Sequence, residues 1–203
     1  MNYYISDLHF FCNSEIDNGE GHNYDNRPYK SLDEMHEDMR QKWNKKVTNG
    51  DTVYILGDIG RKGKNEGLIA LMATLKGRKV LIRGNHDDMS DYRLKQIFAE
   101  VCDYKELSDS FEGKNYKLVL SHYPLLMWNG QHKGVILLYG HTHTSPEDAY
   151  FQKCLNEFLG DPQYIREGEK RGMAINVGCM HAYMGYEPRS LKELLCAVGE
   201  RSG

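Results

Sequence analysis

Short apolar runs punctuate the chain, and each stops against polar residues with almost no spacer. Tyr3-Tyr4-Ile5 runs into Ser6-Asp7-Leu8-His9, Val53-Tyr54-Ile55-Leu56 into Gly57-Asp58, and Leu81-Ile82 into Arg83-Gly84-Asn85-His86-Asp87. Leu118-Val119-Leu120 then meets Ser121-His122, and Val135-Ile136-Leu137-Leu138 leads to Gly140-His141-Thr142-His143. Runs this short and rich in Val, Ile, Leu and Tyr read as buried strands. A glycine just beyond lets the backbone turn tightly, so the next side chains project from the carboxyl end of the strand, where open α/β sheets place their ligands.

Helical spacing fills the intervals. Ser31-Leu32-Asp33-Glu34 is a capping box, followed by Leu32, Met35, Met39, Trp43 and Val47 on one face, so His36 on that helix reads as packed or solvated and not as a ligand. Leu68, Ile69, Leu71, Met72 and Leu75 predict a second helix stopped by Gly77, and Leu94, Ile97, Phe98 and Val101 a third. Ser145-Pro146-Glu147-Asp148 is a helix start, with Tyr150, Phe151, Cys154, Leu155, Phe158 and Leu159 as its apolar face; a terminal helix is expected over 190–198. Tyr104 to Phe111 and Tyr116 to Ser121 flank Glu112-Gly113-Lys114-Asn115 as a hairpin. Met173 to Val177 is the last expected strand, and its exit at Gly178-Cys179-Met180-His181 reads as structural. Strands alternating with helices around one hairpin predict an α/β fold with a mixed sheet.

The segment from Phe10 to Lys30 has no period and is broken by Asn18-Gly19, Gly21 and Pro28. It predicts a long loop leaving the strand end that carries Asp7 and His9, and loops of that length tend to be functional. Tyr24, Asn26 and Arg27 are therefore expected near the mouth of the site, with Arg27 either a substrate-binding residue, since its planar fork binds two phosphate oxygens at once, or a solvated loop arginine. The basic turn Arg61-Lys62-Gly63-Lys64 reads as a charged surface loop in preference to an oxyanion cradle.

A chain of 203 residues with 40% apolar composition is sized for one domain over residues 1–203. A formal charge of −3 gives no broad footprint for a polyanion. Extended nucleic-acid binding is not expected without a local basic patch that the totals hide. A small phosphorylated substrate, a nucleotide among the candidates, fits the balance better. Five cysteines, Cys12, Cys102, Cys154, Cys179 and Cys196, form an odd set without a C-x-x-C pair and read as free thiols. No stretch reaches 18 apolar residues and the start lacks a signal-like run, so a cytoplasmic protein with no membrane span is expected.

Taken singly, each polar block is commonplace: Gly-Asp makes turns, and an isolated His is more often packed than ligating. Here five of the nine histidines sit at predicted strand ends beside Asp7, Asp58 and Asn85, which chance explains poorly. Imidazole, carboxylate and amide oxygen without thiolate suit Mn²⁺, Fe²⁺ or Zn²⁺. The spacing of two in Asp7-x-His9 and His141-x-His143 is expected to bring both members of each pair to one side of a strand end. His22, His132 and His181 are not expected as ligands.

The ordered blocks D-x-H, G-D, G-N-H-D, H and G-H-x-H, from Asp7 to His143, resemble the calcineurin-like metallophosphoesterase superfamily. The resemblance implies a four-layer α-β-β-α sandwich of two facing mixed sheets. It implies two divalent ions, manganese favoured, one held by Asp7, His9, Asp58 and His143 and the other by Asp58, Asn85, His122 and His141, with Asp58 as bridge. The implied activity is a phosphoric ester hydrolase in which a hydroxide shared by the metals attacks phosphorus. His86 is left to protonate the leaving oxygen, with Asn85 also near substrate and Asp87 or Asp88 orienting the imidazole. The protein Ser/Thr phosphatase branch carries G-D-x-x-D-R-G, whereas this chain reads Gly57-Asp58-Ile59-Gly60-Arg61-Lys62-Gly63, which argues against a protein phosphatase. With Asn26-Arg27-Pro28 in its loop, the chain looks more like the small bacterial and phage phosphoesterases. A nuclease or cyclic-nucleotide phosphodiesterase is the alternative, with Tyr24, Tyr123, Trp128 or Tyr183 to stack a base. A scaffold without catalysis ranks last, because no ligand position is empty.

Overall fold

The structure, a computed structural model, describes residues 1–16, 24–63, 65–164 and 168–199. Asn18-Gly19, Gly21, His22 and Lys64 lie outside the described residues. The first half of the chain gives β1 (Asn2–Ile5), α1 (Leu32–Lys46), β2 (Thr52–Ile55), α2 (Asn65–Thr74), β3 (Arg78–Ile82), α3 (Tyr92–Lys95) and β4 (Glu100–Cys102). The second gives β5 (Tyr104–Phe111), β6 (Lys114–Ser121), β7 (Ile136–Tyr139), α4 (Pro146–Gly160), β8 (Met173–Asn176), β9 (Arg189–Ser190) and α5 (Leu191–Gly199).

These strands form two mixed sheets, ordered β4-β3-β2-β1-β9 and β5-β6-β7-β8. In the first, only β9 runs antiparallel; in the second, only the β5–β6 pair does. The period-2 alternation of the second sheet divides its residues between two layers. Leu118, Leu120, Ile136 and Leu138 join the core shared with the first sheet. Val119, Leu137 and Tyr139 point the other way, onto Leu155 and Leu159 of α4. The first sheet's core in turn receives Met35, Met39 and Trp43 of α1 and Leu68 and Met72 of α2. The result is the four-layer α-β-β-α sandwich. The Tyr4 hydroxyl donates to Asp109 across the sheets at 2.7 Å.

Local chemistry sets the boundaries. Ser31 Oγ accepts the Glu34 N–H at 3.1 Å to start α1, and Glu34 reaches back to the Lys30 N–H at 2.8 Å; such a cap contributes about 1 kcal/mol. His36 is packed, accepting the Phe11 N–H on Nε2. Ser145 caps α4 with Pro146 in the first turn. The hairpin turn is tighter than predicted: Glu112 and Gly113 both have positive φ, 50° and 75°, as a two-residue turn of the I′ kind requires, so Lys114 and Asn115 belong to β6.

The third predicted helix is corrected. It is a single turn, Tyr92–Lys95, and Val101 lies on β4, paired in parallel with Leu81. The helical spacing of Leu94, Ile97, Phe98 and Val101 was satisfied by a turn followed by an edge strand, because β3 offers its backbone there: Ala99 N–H donates to Lys79 O and Arg83 N–H to Cys102 O, both at 2.8 Å. The two-residue β9 was not anticipated. Among the described residues no helix is long and apolar enough to cross a membrane.

Candidate metal centre

The residues after β1, β2, β3, β6 and β7 converge where the two sheets close on each other. Past its strand, Ser6 pairs with the chain leaving β8: its N–H donates to Val177 O, and its carbonyl accepts from Cys179 N–H, both at 2.9 Å. This places Asp7 and His9 between the loops that carry Asp58 and His141. The pleat does not align the Asp-x-His and His-x-His pairs, as the sequence reading expected, because β1 stops at Ile5 and β7 at Tyr139. Left-handed backbone does it instead: φ is 57° at Asp7, 49° at His9, 54° at Asp58, 71° at His141 and 50° at His143. Non-glycine residues rarely adopt that region, at a cost of roughly 1–3 kcal/mol each, and they concentrate at functional sites.

Two groups of side chains result. Asp7, His9 and His143 present ligand atoms within 4.8 Å of one another, and so do Asp58, His122 and His141. Asp58 Oδ2 lies 3.7 Å from His9 Nε2 and 3.6 Å from His122 Nε2, so one oxygen faces both groups. Asn85 Oδ1 stands 3.0 Å from His122 Nε2 and therefore joins the second. All seven residues named from the sequence as metal ligands meet here. His86 is exposed at the rim, its ring 5.6 Å from that of His9, and its N–H donates to Asp58 Oδ1 at 2.9 Å.

Buried partners orient the ligands. His122 Nδ1 lies 2.7 Å from Leu56 O, an acceptor only, so the proton sits on Nδ1 and the Nε2 lone pair faces the centre. His143 Nδ1 lies 2.7 Å from Asp25 Oδ1, the carboxylate–histidine arrangement that fixes a metal-binding tautomer. The Asp7 carboxylate accepts from Ser6 Oγ at 2.7 Å and from the His141 N–H at 3.1 and 3.2 Å. Glycines permit these approaches: a Cβ on Gly84 would collide with Asp58 Oδ1 and stand 2.8 Å from the Asp58 nitrogen, and one on Gly140 would collide with Ser6 Oγ.

The electrostatics favour a cation. Burial pushes the Asp7 carboxyl up, against the pull of His143 and His122. It also drives His9 well below the ordinary imidazole value, helped by Arg27 and His143. Burial pulls His143 down, but the bond to Asp25 and the charges of Asp7 and Asp25 outweigh it and raise the imidazole to about 9. A surplus of negative charge that holds a proton here would hold a divalent ion more strongly. His9 Nε2 and His143 Nε2 are 3.1 Å apart; a single proton closes that gap, and a metal ion is its natural replacement. The donor set and geometry thus fit two divalent ions, one among Asp7, His9, Asp58 and His143, the other among Asp58, Asn85, His122 and His141.

Three site expectations are corrected. Arg27 is not at the mouth: it is 1% exposed, and its guanidinium donates to Asp7 O and Leu8 O at 2.8 Å and to Asp25 Oδ2 at 2.9 and 3.1 Å. Its fork binds the backbone under the ligands and a carboxylate, because those buried carbonyls need donors. Asp87 does not orient His86; it accepts the N–H groups of Asp58, Ile59 and Gly84 at 2.9, 2.9 and 2.7 Å and ties two ligand loops together. Asp88 caps Ser90. Of the aromatic candidates, Trp128 is buried, bonding Val135 O, and Tyr183 bonds Asn176 O. Tyr24 and Tyr123 are exposed, with Tyr123 4.6 Å from the His141 ring. His132 faces Glu169 at 3.9 Å, and His181 stacks on Tyr183.

Cys179, whose thiol donates to Asp7 O at 3.1 Å, holds the structural role read for the exit of the last strand, whereas Asp25 was missed as a support. The Asp25-x-Arg27 spacing was the one available signal for it. Beside the centre lies a cavity of about 510 Å³, reached by His9, His86, His141 and His143 and walled further by Glu15, Tyr24 and Glu147.

Comparison with known proteins agrees with this geometry. The profile of the calcineurin-like phosphoesterases matches residues 3–157. An uncharacterized protein of Methanocaldococcus jannaschii is 33% identical over 149 residues, covering 73% of this chain and 72% of its own. The Gene 66 protein of Mycobacterium phage D29 is 30% identical over 152 residues, 64% of this chain and 72% of that one. A crystal structure of a protein of unknown function from Aquifex aeolicus superposes with a TM-score of 0.63 at 24% identity, covering 97% of this chain and 98% of the other; that likeness speaks to the fold alone.

Proposed function

The chain belongs to the calcineurin-like phosphoesterase family, and from that premise we propose that it hydrolyses a small phosphomonoester or phosphodiester with two divalent ions, manganese favoured. The observation that carries this reading is the Asp58 oxygen standing 3.7 Å from His9 and 3.6 Å from His122, between two otherwise separate ligand groups. Divalent ions held by these residues would supply Lewis-acid stabilisation of phosphoryl oxygens and a more acidic water near neutral pH. The chain's own residues do the rest. Asp58 and Asp7 neutralise, His122 and His143 present Nε2 lone pairs fixed by Leu56 O and Asp25, and Asp87 holds the two central loops in register. His86, anchored through its N–H to Asp58 and open to solvent, donates a proton to the leaving oxygen; no covalent enzyme intermediate is invoked.

The adjoining cavity speaks to the leaving group. Its wall carries Glu15 and Glu147 and no lysine or arginine among the described residues. Glu15 is 5% exposed, with Oε2 making no hydrogen bond among the described residues. A neutral alcohol or base with donors to offer suits that wall, and a polyphosphate does not. Tyr24 at the same mouth supports a nucleoside-bearing ester as the second reading.

Release of nitrophenol from mono- and bis-(nitrophenyl) phosphate, with Mn²⁺, Fe²⁺, Zn²⁺, Ni²⁺ or Co²⁺, tests the activity. Asp58→Asn is expected to abolish turnover and lose an ion. His86→Ala is expected to keep both ions and lose about 10²–10⁴-fold in rate. Loss of metal from the His86 variant, or no turnover with any ion, would overturn the assignment.

A further inference from the structure

At the other end of the second sheet, away from the metal ligands, the surface is strongly basic. A groove of about 1110 Å³ is walled by Lys114 and Lys117 of β6, Lys133 in the loop before β7, and Lys170 and Arg171 before β8. All five are exposed. None makes an ion pair among the described residues, and the one carboxylate in the wall, Glu106, is engaged by Asn129 Nδ2 at 3.1 Å. Five exposed cations around one concavity, with Glu106 the one carboxylate in its described wall, stand out in a chain of net charge −3, and a concavity lined mainly by one sign of charge concentrates ions of the other.

The fold explains why the surface is open. Val119 and Leu137 on the outer face of the sheet are covered by α4. Lys117, two residues back on the same face of β6 and paired across the hairpin with Ser108, is left outside that cover. The groove therefore exposes polar hairpin backbone flanked by cations, and among the described residues none of its lining is an exposed large apolar side chain of the kind a membrane surface would take up. A concave, cationic, non-greasy surface matches a chain of phosphates.

We infer that this groove binds the phosphate backbone of a nucleic acid, as a contact separate from the candidate metal centre. Lys117 on β6 and His122 just past its end are five residues apart along extended chain, about 17 Å, so the groove holds backbone at a distance from the centre and is no part of it. This is the local basic patch that net charge conceals.

Fluorescence anisotropy of a labelled single-stranded oligonucleotide of roughly 15 nucleotides tests it, using metal-stripped full-length protein so that the centre neither binds nor cuts. Neutralising five phosphates gives a slope of about −3.5 in log affinity against log salt, hence about a hundredfold weakening from 50 to 200 mM. The double variant Lys117→Ala/Lys133→Ala is expected to flatten the slope to about −2.1, about twentyfold over the same range. Asp58→Asn is expected to bind as the parent does, whether or not the chain proves to be a hydrolase. Circular dichroism melts confirm that the variants are folded. No saturable binding at 50 mM salt, a slope indifferent to the double variant, or binding lost in the Asp58 variant would overturn the inference. Binding confined to anionic lipid vesicles, with none to the oligonucleotide, would overturn it too.

Discussion

Replacing Asp25 with Asn removes one charge and keeps the shape, which isolates what the carboxylate contributes. Its side chain is 1% exposed, against an Arg27 side chain that is fully buried, at 2.9 Å, while its other oxygen meets His143 Nδ1 at 2.7 Å. Those bonds and the guanidinium charge outweigh its burial and hold Asp25 well below the usual carboxylate range. Asp25→Asn takes its nearest carboxylate from the buried Arg27 guanidinium, and breaking a buried pair by removing one partner costs about 3–5 kcal/mol. In a chain of 203 residues each kcal/mol moves the unfolding midpoint by about 2–4 °C, so Tm should fall by about 6–20 °C in metal-free protein. The amide also presents its acceptor to His143 less strongly, and loss of such an outer partner weakens metal affinity by about 10–100-fold. Circular dichroism melting and calorimetric titration of Mn²⁺ read the two effects separately. Adding Arg27→Met removes the other member of the pair, so the double variant should be less unstable than the sum of the singles by about 0.5–3 kcal/mol. A midpoint within about 2 °C of the parent, together with unchanged Mn²⁺ affinity, would refute the claim that Asp25 supports both the buried cation and the ligand.

Metal affinity should depend on pH through His143. Raised from 6.5 to about 9 in the metal-free protein, this imidazole gives stability that is complete below 6.5 and is lost as pH rises through 9. The ion must displace its proton, so the affinity of the ion held with Asp7 and His9 should climb with pH and level off above 9; a flat titration between pH 7 and 9 would contradict this. Gly84→Ala sets a Cβ against Asp58 Oδ1 and 2.8 Å from the Asp58 nitrogen. It should lose metal binding measured by calorimetry, with a stability cost of the overpacking kind, about 1–3 kcal/mol; full metal occupancy in that variant would show that the loop yields freely.

What could be read in the sequence was whatever is written locally. Apolar runs ending in Asp, Asn and His marked the strands and the ligand-bearing ends, because a strand and the loop leaving it are consecutive in the chain, and the order of those blocks, through the family resemblance, implied which seven residues ligate. Asp25 escaped because its partner His143 is 118 residues away. Arg27 was misplaced for the same reason: an arginine in a polar loop reads as exposed, and only the folded chain shows Asp7 and Leu8 carbonyls beneath it waiting for donors. The basic groove escaped as well, since β6, the loop before β7 and the loop before β8 assemble it, and no window along the chain holds all five cations. The turn and edge strand at 92–102 were misjudged because three or four apolar residues at helical spacing fit either element, and only the open edge of β3 decides between them.

The centre also shows where the chain accepts unfavourable backbone and what offsets it. Five ligand residues are left-handed, and at roughly 1–3 kcal/mol each that strain rivals the net stability of a domain, about 5–15 kcal/mol. The offset is mutual bonding between the strained loops. Asp7 and His9 N–H groups donate to the carbonyls of Gly57 and Asp58 at 3.1 and 2.9 Å, and Phe10 N–H to that of Ile59. Asp87 accepts from the Asp58, Ile59 and Gly84 N–H groups, while Arg27 binds the carbonyls of Asp7 and Leu8. Each loop is thus held by its neighbours and not by its own strand, so the ligands are in place before any ion arrives. Because the loops carrying Asp7, Asp58 and Asn85 share these bonds, loosening one should weaken both ion sites together, and the two ligand groups act as one structural unit.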